Sequence, residues 1–393
     1  MSGPMKTTQF WMRLALYFIL LVATGLMFFL PGGPHFQSLV TDTIHYERSK
    51  VTAVLSEQLE PSGIEPTQQL GQQLLEVTLQ SGEIIELTNY LTDVHNVPVS
   101  EGQRVIVCVD APENVEPYYT LYNFDRSGAV AGIVLIFIAL MVLIGRRRGF
   151  DAALALLFSV LFLIRVTIPL IYNGASPVAV GLLTAFVATA VTILLMYGFH
   201  LRGIMAIGVT LAGECAACLF FLLFSHMLHI SGFQTEEADG LLVVAQNTGL
   251  DIKQLLFAAT MIAAVGAVMD MAVSLLSSLW EIQQTDPAVK PLQLLRSGFN
   301  IGRDMIGTMS NTLIFAFIGG ALGTVLLLYS YGIQFHQLLN SDYIAVELAQ
   351  GICGTVAVIL SVPFSSLAAA AVFPKLQNSR RAPVLHKSNN QKR

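Results

Sequence analysis

The chain has 393 residues, 54% of them hydrophobic and only 12% charged, where soluble domains carry roughly 25% charged residues. With a mean hydropathy of +0.65, this excludes an ordinary soluble enzyme and points to a protein that crosses a membrane several times. The net charge of −5 hides charges that are segregated along the chain, and no basic patch with interleaved aromatics offers a nucleic-acid surface.

In chain order, eight apolar runs approach the ~20 residues a spanning helix needs. The first, FWMRLALYFILLVATGLMFFL (10–30), is long for a signal-peptide core. PGGP follows it instead of a small-residue cleavage site, so residues 1–30 read as a retained membrane anchor. Residues 31–127 are polar and acidic, and their periodicity changes from helical to alternating. KVTAVLSE, LLEVTLQSGEIIELTN and QRVIVCVD read as strands, with turns at Ser81-Gly82 and Glu101-Gly102. A small extracytoplasmic β-barrel or sandwich, of the OB or SH3-like kind, is expected after the first helix.

The other seven runs lie near 128–145, 151–172, 177–197, 203–228, 254–280, 304–331 and 350–374. They predict an all-α membrane bundle over residues 128–375, with about eight transmembrane helices in the whole chain. Arg146, Arg147 and Arg148, then Arg202, then Lys290 and Arg296, then Arg380, Arg381, Lys387, Lys392 and Arg393 all fall on one side if the spans alternate. By the positive-inside rule that side is the cytoplasm, which holds both termini. Residues 229–253 and 332–349 are too polar to span and read as surface segments. Residues 376–393 are basic and read as a disordered tail.

Ionisable groups inside spans are costly and mark functional sites by default. Asp270 lies in the sixth span, Glu214 in the fifth and Arg165 in the third. Ala263, Gly266, Asp270, Ser274, Ser277 and Glu281 recur at helical spacing and form one small, polar stripe, opposite Met261, Val268, Leu275 and Leu279. Gly203, Ala206, Thr210, Glu214 and Ala217 form a similar stripe, as do Asp304, Gly307 and Asn311 in the seventh span. The expectation is a bundle centre of spans five, six and seven, with Asp270 and Glu214 facing inward, Ser274 and Asn311 beside them, and Arg165 as counter-charge. The same pattern also suits an ion pair that only fixes helix register.

Glu281, Arg303 and Asp304 bracket the loop between spans six and seven and suggest a cytoplasmic gate. His226 and His229, followed by Glu236, Glu237 and Asp239, have ligand types that suit a transition metal, although the spacing is no zinc signature. Cys215 and Cys218 have CxxC spacing inside an apolar run and read as packing residues; Cys108 and Cys353 complete no disulfide framework. GxGD, HExxH and Walker A patterns are absent, so no enzyme and no cofactor are expected.

VGAVMDMAVSLLSSLWEI (265–282) and GFNIGRDMIGTMSNTLIFAFIGGAL (298–322) together resemble the YibE/F family of bacterial multi-span membrane proteins. The matching positions are Gly266, Asp270, Ser274, Glu281, Gly302, Arg303, Asp304, Gly307, Thr308, Asn311 and Thr312, and HISGF…EEA (229–238) also looks similar. The resemblance covers about residues 125–375. It implies the fold, a membrane location and, because members often occur as neighbouring pairs, a related membrane subunit or a homo-oligomer. It carries no settled activity. The carboxylates themselves point to a secondary transporter for a small cation or proton-coupled solute. The alternative is a non-transporting platform that binds a partner through its outer module.

Overall fold

The computed structural model describes residues 4–29, 43–63, 65, 67–232 and 238–381. The chain divides into two compact units, one spanning Gln37–Leu140 and one joining Met1–Phe36 to Met141–Arg393.

In the first unit, β1 (Ile44–Pro61), β2 (Gln69–Thr78), β3 (Ile84–Leu91), β4 (Arg104–Asp110) and β5 (Tyr118–Phe124) form one five-stranded antiparallel sheet in the order β3-β2-β1-β4-β5. Alternation decides what each strand buries: Val105, Val107 and Val109 of β4 point to the core together with Val51, Leu75 and Val77. The long β1 pairs with β4 in its first half and β2 in its second. Register shifts at Val51/Ala53 and Val54/Ser56 add the twist that bulges supply. The edge strands β3 and β5 touch, so the sheet curls into a half-barrel. The expected barrel or sandwich is therefore one curled sheet, and β5 lies beyond the predicted strands. Gly82 and Gly102 take φ of 89° and 84°, as their turns require.

Two buried amides tie the segment before β4 to this sheet. Gln73 Nε2 donates to the Val99 carbonyl (3.0 Å), and Gln73 Oε1 accepts from the Val99 N–H (3.0 Å). Asn89 Nδ2 donates to Gln73 Oε1 (3.2 Å) and to the Val97 carbonyl (2.9 Å).

The helices are α1 (Pro4–Phe29), α2 (Ser127–Phe162), a π-helical turn (Leu163–Thr167), α3 (Ile168–Tyr172), α4 (Pro177–Tyr197), α5 (Leu201–Met227), α6 (Ala238–Thr248), α7 (Ile252–Thr285), α8 (Pro291–Gly320), α9 (Leu322–Ser330), α10 (Phe335–Leu339) and α11 (Asp342–Arg381). Among the described residues, five helical stretches are long and apolar enough to cross a membrane, or six if α8 and α9, bent by 55° at their junction, count as one span. This differs from the expected eight for two reasons. The second and third runs form two helices that meet at a kink at Arg146 (φ 50°, ψ −128°), and together they stand among the five as the single stretch Ser127–Tyr172. The apolar part of the first run, Leu14–Phe29, is short. The tail expected from residue 376 is helical as far as Arg381, because α11 continues through Pro374; from residue 382 it lies outside the described residues.

α7 packs against α4, α5, α8 and α11, and α11 packs against α5 and α8. Val268, Met271, Leu275 and Leu279 of α7 meet Leu294 and Leu313 of α8 and Ala357, Val358 and Val362 of α11 in one core. The centre is thus α5, α7 and α11, with α8 at the edge, rather than spans five, six and seven. α8 approaches α11 closely because Gly302 leaves no side chain where the Val362 methyls sit.

Candidate functional site

α5 builds the interior. Its 100° step brings Gly203, Ala206, Thr210, Glu214 and Ala217 to one buried face, while Leu219, Leu222 and Leu223 point out. Glu214 is 0% exposed, and neither carboxyl oxygen has a hydrogen-bond partner among the described residues. Its neighbour Gly213 marks how tightly the helices close there. A Cβ at that position would lie 2.8 Å from Val268 Cγ1 of α7 and 3.4 Å from the Ala357 carbonyl of α11. One turn below, Thr210 Oγ1 donates to the Ala206 carbonyl (2.9 Å). α7 and α11 add Gln283 and Ser365, both 0% exposed and both without a hydrogen-bond partner among the described residues.

A cavity of about 40 Å³ lies at the start of α5, lined by Tyr197, His200, Arg202, Gly203, Ala206 and Ser277 among others. Gly203 and Ala206 belong to the face that carries Glu214, so the cavity sits on the same helical stripe. The Arg202 guanidinium covers the Trp280 ring at 5.3 Å.

Asp270 is oriented the other way. Ala263, Gly266, Asp270, Ser274 and Glu281 are exposed and Ser277 is half-buried, while Met261, Val268, Leu275 and Leu279 are buried. The expected inward turn of this stripe is corrected: the larger apolar face of α7 fills the core and leaves the small, polar face open. Asp270 has no hydrogen-bond or ion-pair partner among the described residues. Asn311 and the rest of its stripe on α8 are likewise exposed.

Arg165 is not the counter-charge to either acid. It lies exposed on the π-helical turn, with its guanidinium over the Phe28 ring at 5.0 Å. Glu281, Arg303 and Asp304 are exposed and form no ion pair with one another among the described residues. His226 and His229 are exposed at the end of α5, His229 with φ of 54°. Glu236 and Glu237 lie outside the described residues, and no group of three or more metal-ligating side chains occurs within them.

Among the buried polar groups that sequence reasoning missed, two stand near helix ends. Asp151, 1% exposed, accepts a hydrogen bond from the Tyr17 hydroxyl of α1. It stands at the first position of the run 151–172, where a charge at a span end ordinarily faces water. Gln283 sits on the buried face of α7, near a helix end where polar residues ordinarily face water. Its place on the stripe of Leu275, Leu276 and Leu279 was the available signal.

Residues 133–375 match a protein family described as YibE/F-like protein. No curated protein and no solved structure matches the chain.

Proposed function

For this chain, which belongs to the YibE/F-like protein family and folds its matched region into apolar membrane-length helices, we propose a secondary permease for a small cation, the proton included. It would act at a bacterial plasma membrane, with both termini in the cytoplasm. Glu214 is the group that takes up the cation. The carrying observation is its complete burial with both oxygens unpartnered. An ionised carboxylate left alone in such surroundings costs several kcal/mol, so the group needs either a proton or a cation beside it. Exchanging one for the other is the elementary act of a coupled carrier.

Several features support this reading. Thr210, Gln283 and Ser365 place further polar atoms in the α5–α7–α11 interior, and the cavity lined by Gly203 and Ala206 lies on the helix face that carries Glu214. Passage requires the packing around Gly213 to part. The contact with Val268 and Ala357 is therefore the barrier that must give way.

The test is flux into proteoliposomes, screened over protons and mono- and divalent cations. Wild-type protein is expected to carry one of them, and Glu214→Gln to abolish that flux while keeping its melting temperature. Full flux in Glu214→Gln refutes the proposal. Loss of flux together with loss of fold assigns Glu214 a packing role only.

A second reading, a platform that binds a partner, has its own observation. Tyr46 and Tyr122 stack edge to face at 4.9 Å on the half-barrel, and both are exposed, as is Tyr118. Surface aromatics of this kind are enriched where proteins meet. Substituting Tyr46 and Tyr122 by Ala should release a co-purifying partner if this reading holds.

A further inference from the structure

The helices around α7 follow one another in contact: α4 on α5, α5 on α11, α11 on α8. No contact of similar extent joins α8 to α4, so among the described residues the ring is open there. Through that opening α7 shows Ala263, Gly266, Asp270 and Ser274. α8 has the same character. Its buried side, Leu294, Gly298, Gly302 and Leu313, faces the core, and its opposite side exposes Asn300, Arg303, Asp304, Gly307, Thr308 and Asn311.

An acid, an amide and a row of small residues facing hydrocarbon is costly. The same residues let another helix approach closely and hydrogen-bond when one covers them. We infer that the exposed polar faces of α7 and α8 are the interface through which a second copy of this chain docks, forming a twofold dimer in the membrane.

The charge pattern selects a second copy over an unlike partner. Two identical chains enter the bilayer the same way up, so their twofold axis runs along the membrane normal and each residue meets partners at its own depth. A self-complementary face then needs opposite charges at one depth. Arg303 and Asp304 supply this, since consecutive helical residues differ by only about 1.5 Å along the axis. Neither forms an ion pair within the chain among the described residues. Arg303 of each copy meets Asp304 of the other.

The other groups on the face match as well. Asp270 lies about 22 Å before the end of α7 at Thr285, and Gly307 and Thr308 lie about 24–26 Å after the start of α8 at Pro291. The two helices run back to back from a short loop. Asp270 of one copy therefore stands level with Gly307 and Thr308 of the other. Gly266 and Gly307, with open space where a Cβ would sit, allow the backbones to meet.

The experiment is native mass spectrometry of the full chain released from lipid nanodiscs over a range of protein-to-lipid ratios, with Arg303→Asp and Asp304→Arg variants. Wild type is expected to be dimeric. Arg303→Asp leaves two acids on the face and Asp304→Arg leaves two bases, so each alone loses dimer by about tenfold or more. An equal mixture of the two variants restores dimer as a heterodimer, which misfolded variants cannot do. A wild type that stays monomeric at every ratio overturns the inference. So do single variants that dimerise like wild type, and a mixture that fails to recover.

Discussion

Glu214 and Asp270 sit in stripes of the same composition, yet one is sealed and the other open. The pattern of small and polar residues shows that a face is not built for lipid, but an interior and a subunit interface satisfy that condition equally well. What separates them is the competing face of the same helix. On α7 that face is Met261, Val268, Leu275 and Leu279, bulky and continuous, and it takes the core. On α5 the opposite side is the Leu219, Leu222 and Leu223 kind, which suits hydrocarbon. The two acids therefore differ in what substitution does. Asp270→Asn should keep most of the cation flux that Glu214→Gln loses, measured side by side in the same proteoliposomes. Equal loss in both would return Asp270 to the transport site. Arg165 shows how a charge is tolerated without an acid: its guanidinium rests on Phe28. That pairing between distant helices was not legible from spacing.

Among the elements, the strands β1 to β4 were readable from alternation because each buries one face. β5, YYTLYNF, follows a run of turn residues and closes the half-barrel through β3, a contact that no local pattern announces. The Gln73–Asn89 network was hidden for a related reason, since amides in strands ordinarily face water. Replacing Gln73 by Ala leaves the Val99 N–H and carbonyl buried without partners, which costs about 1–3 kcal/mol. Hydrogen exchange at Val99 should accelerate accordingly, and unchanged protection would show that the clasp is dispensable. In the bundle, Gly302→Val would force a branched side chain into the Val362 methyls. Overpacking of this kind costs about 1–3 kcal/mol. Thermal unfolding in detergent should show a lowered Tm, and an unaltered Tm would mean that α8 can slide away from α11 at no cost.

For the molecule as a whole, composition was enough to place it in a membrane, and the two helices that resemble the YibE/F family lie inside the matched region, residues 133–375. The number of spans was less legible. The kink at Arg146 joins two helices without a loop, so the runs 128–145 and 151–172 form one stretch although each is a separate helix. The arrangement of the bundle was hidden too, since α11 enters the centre through Ala357, Val358 and Val362, residues that carry no polar signature. The proposed permease function rests on Glu214 exchanging a proton for a cation inside this packed centre. Infrared difference spectroscopy of the reconstituted protein, recorded as the transported cation is added and withdrawn, addresses it directly. A carboxyl signal that changes with the cation and vanishes in Glu214→Gln is the predicted result; a spectrum indifferent to the cation, or a carboxyl signal that persists in Glu214→Gln, would contradict it.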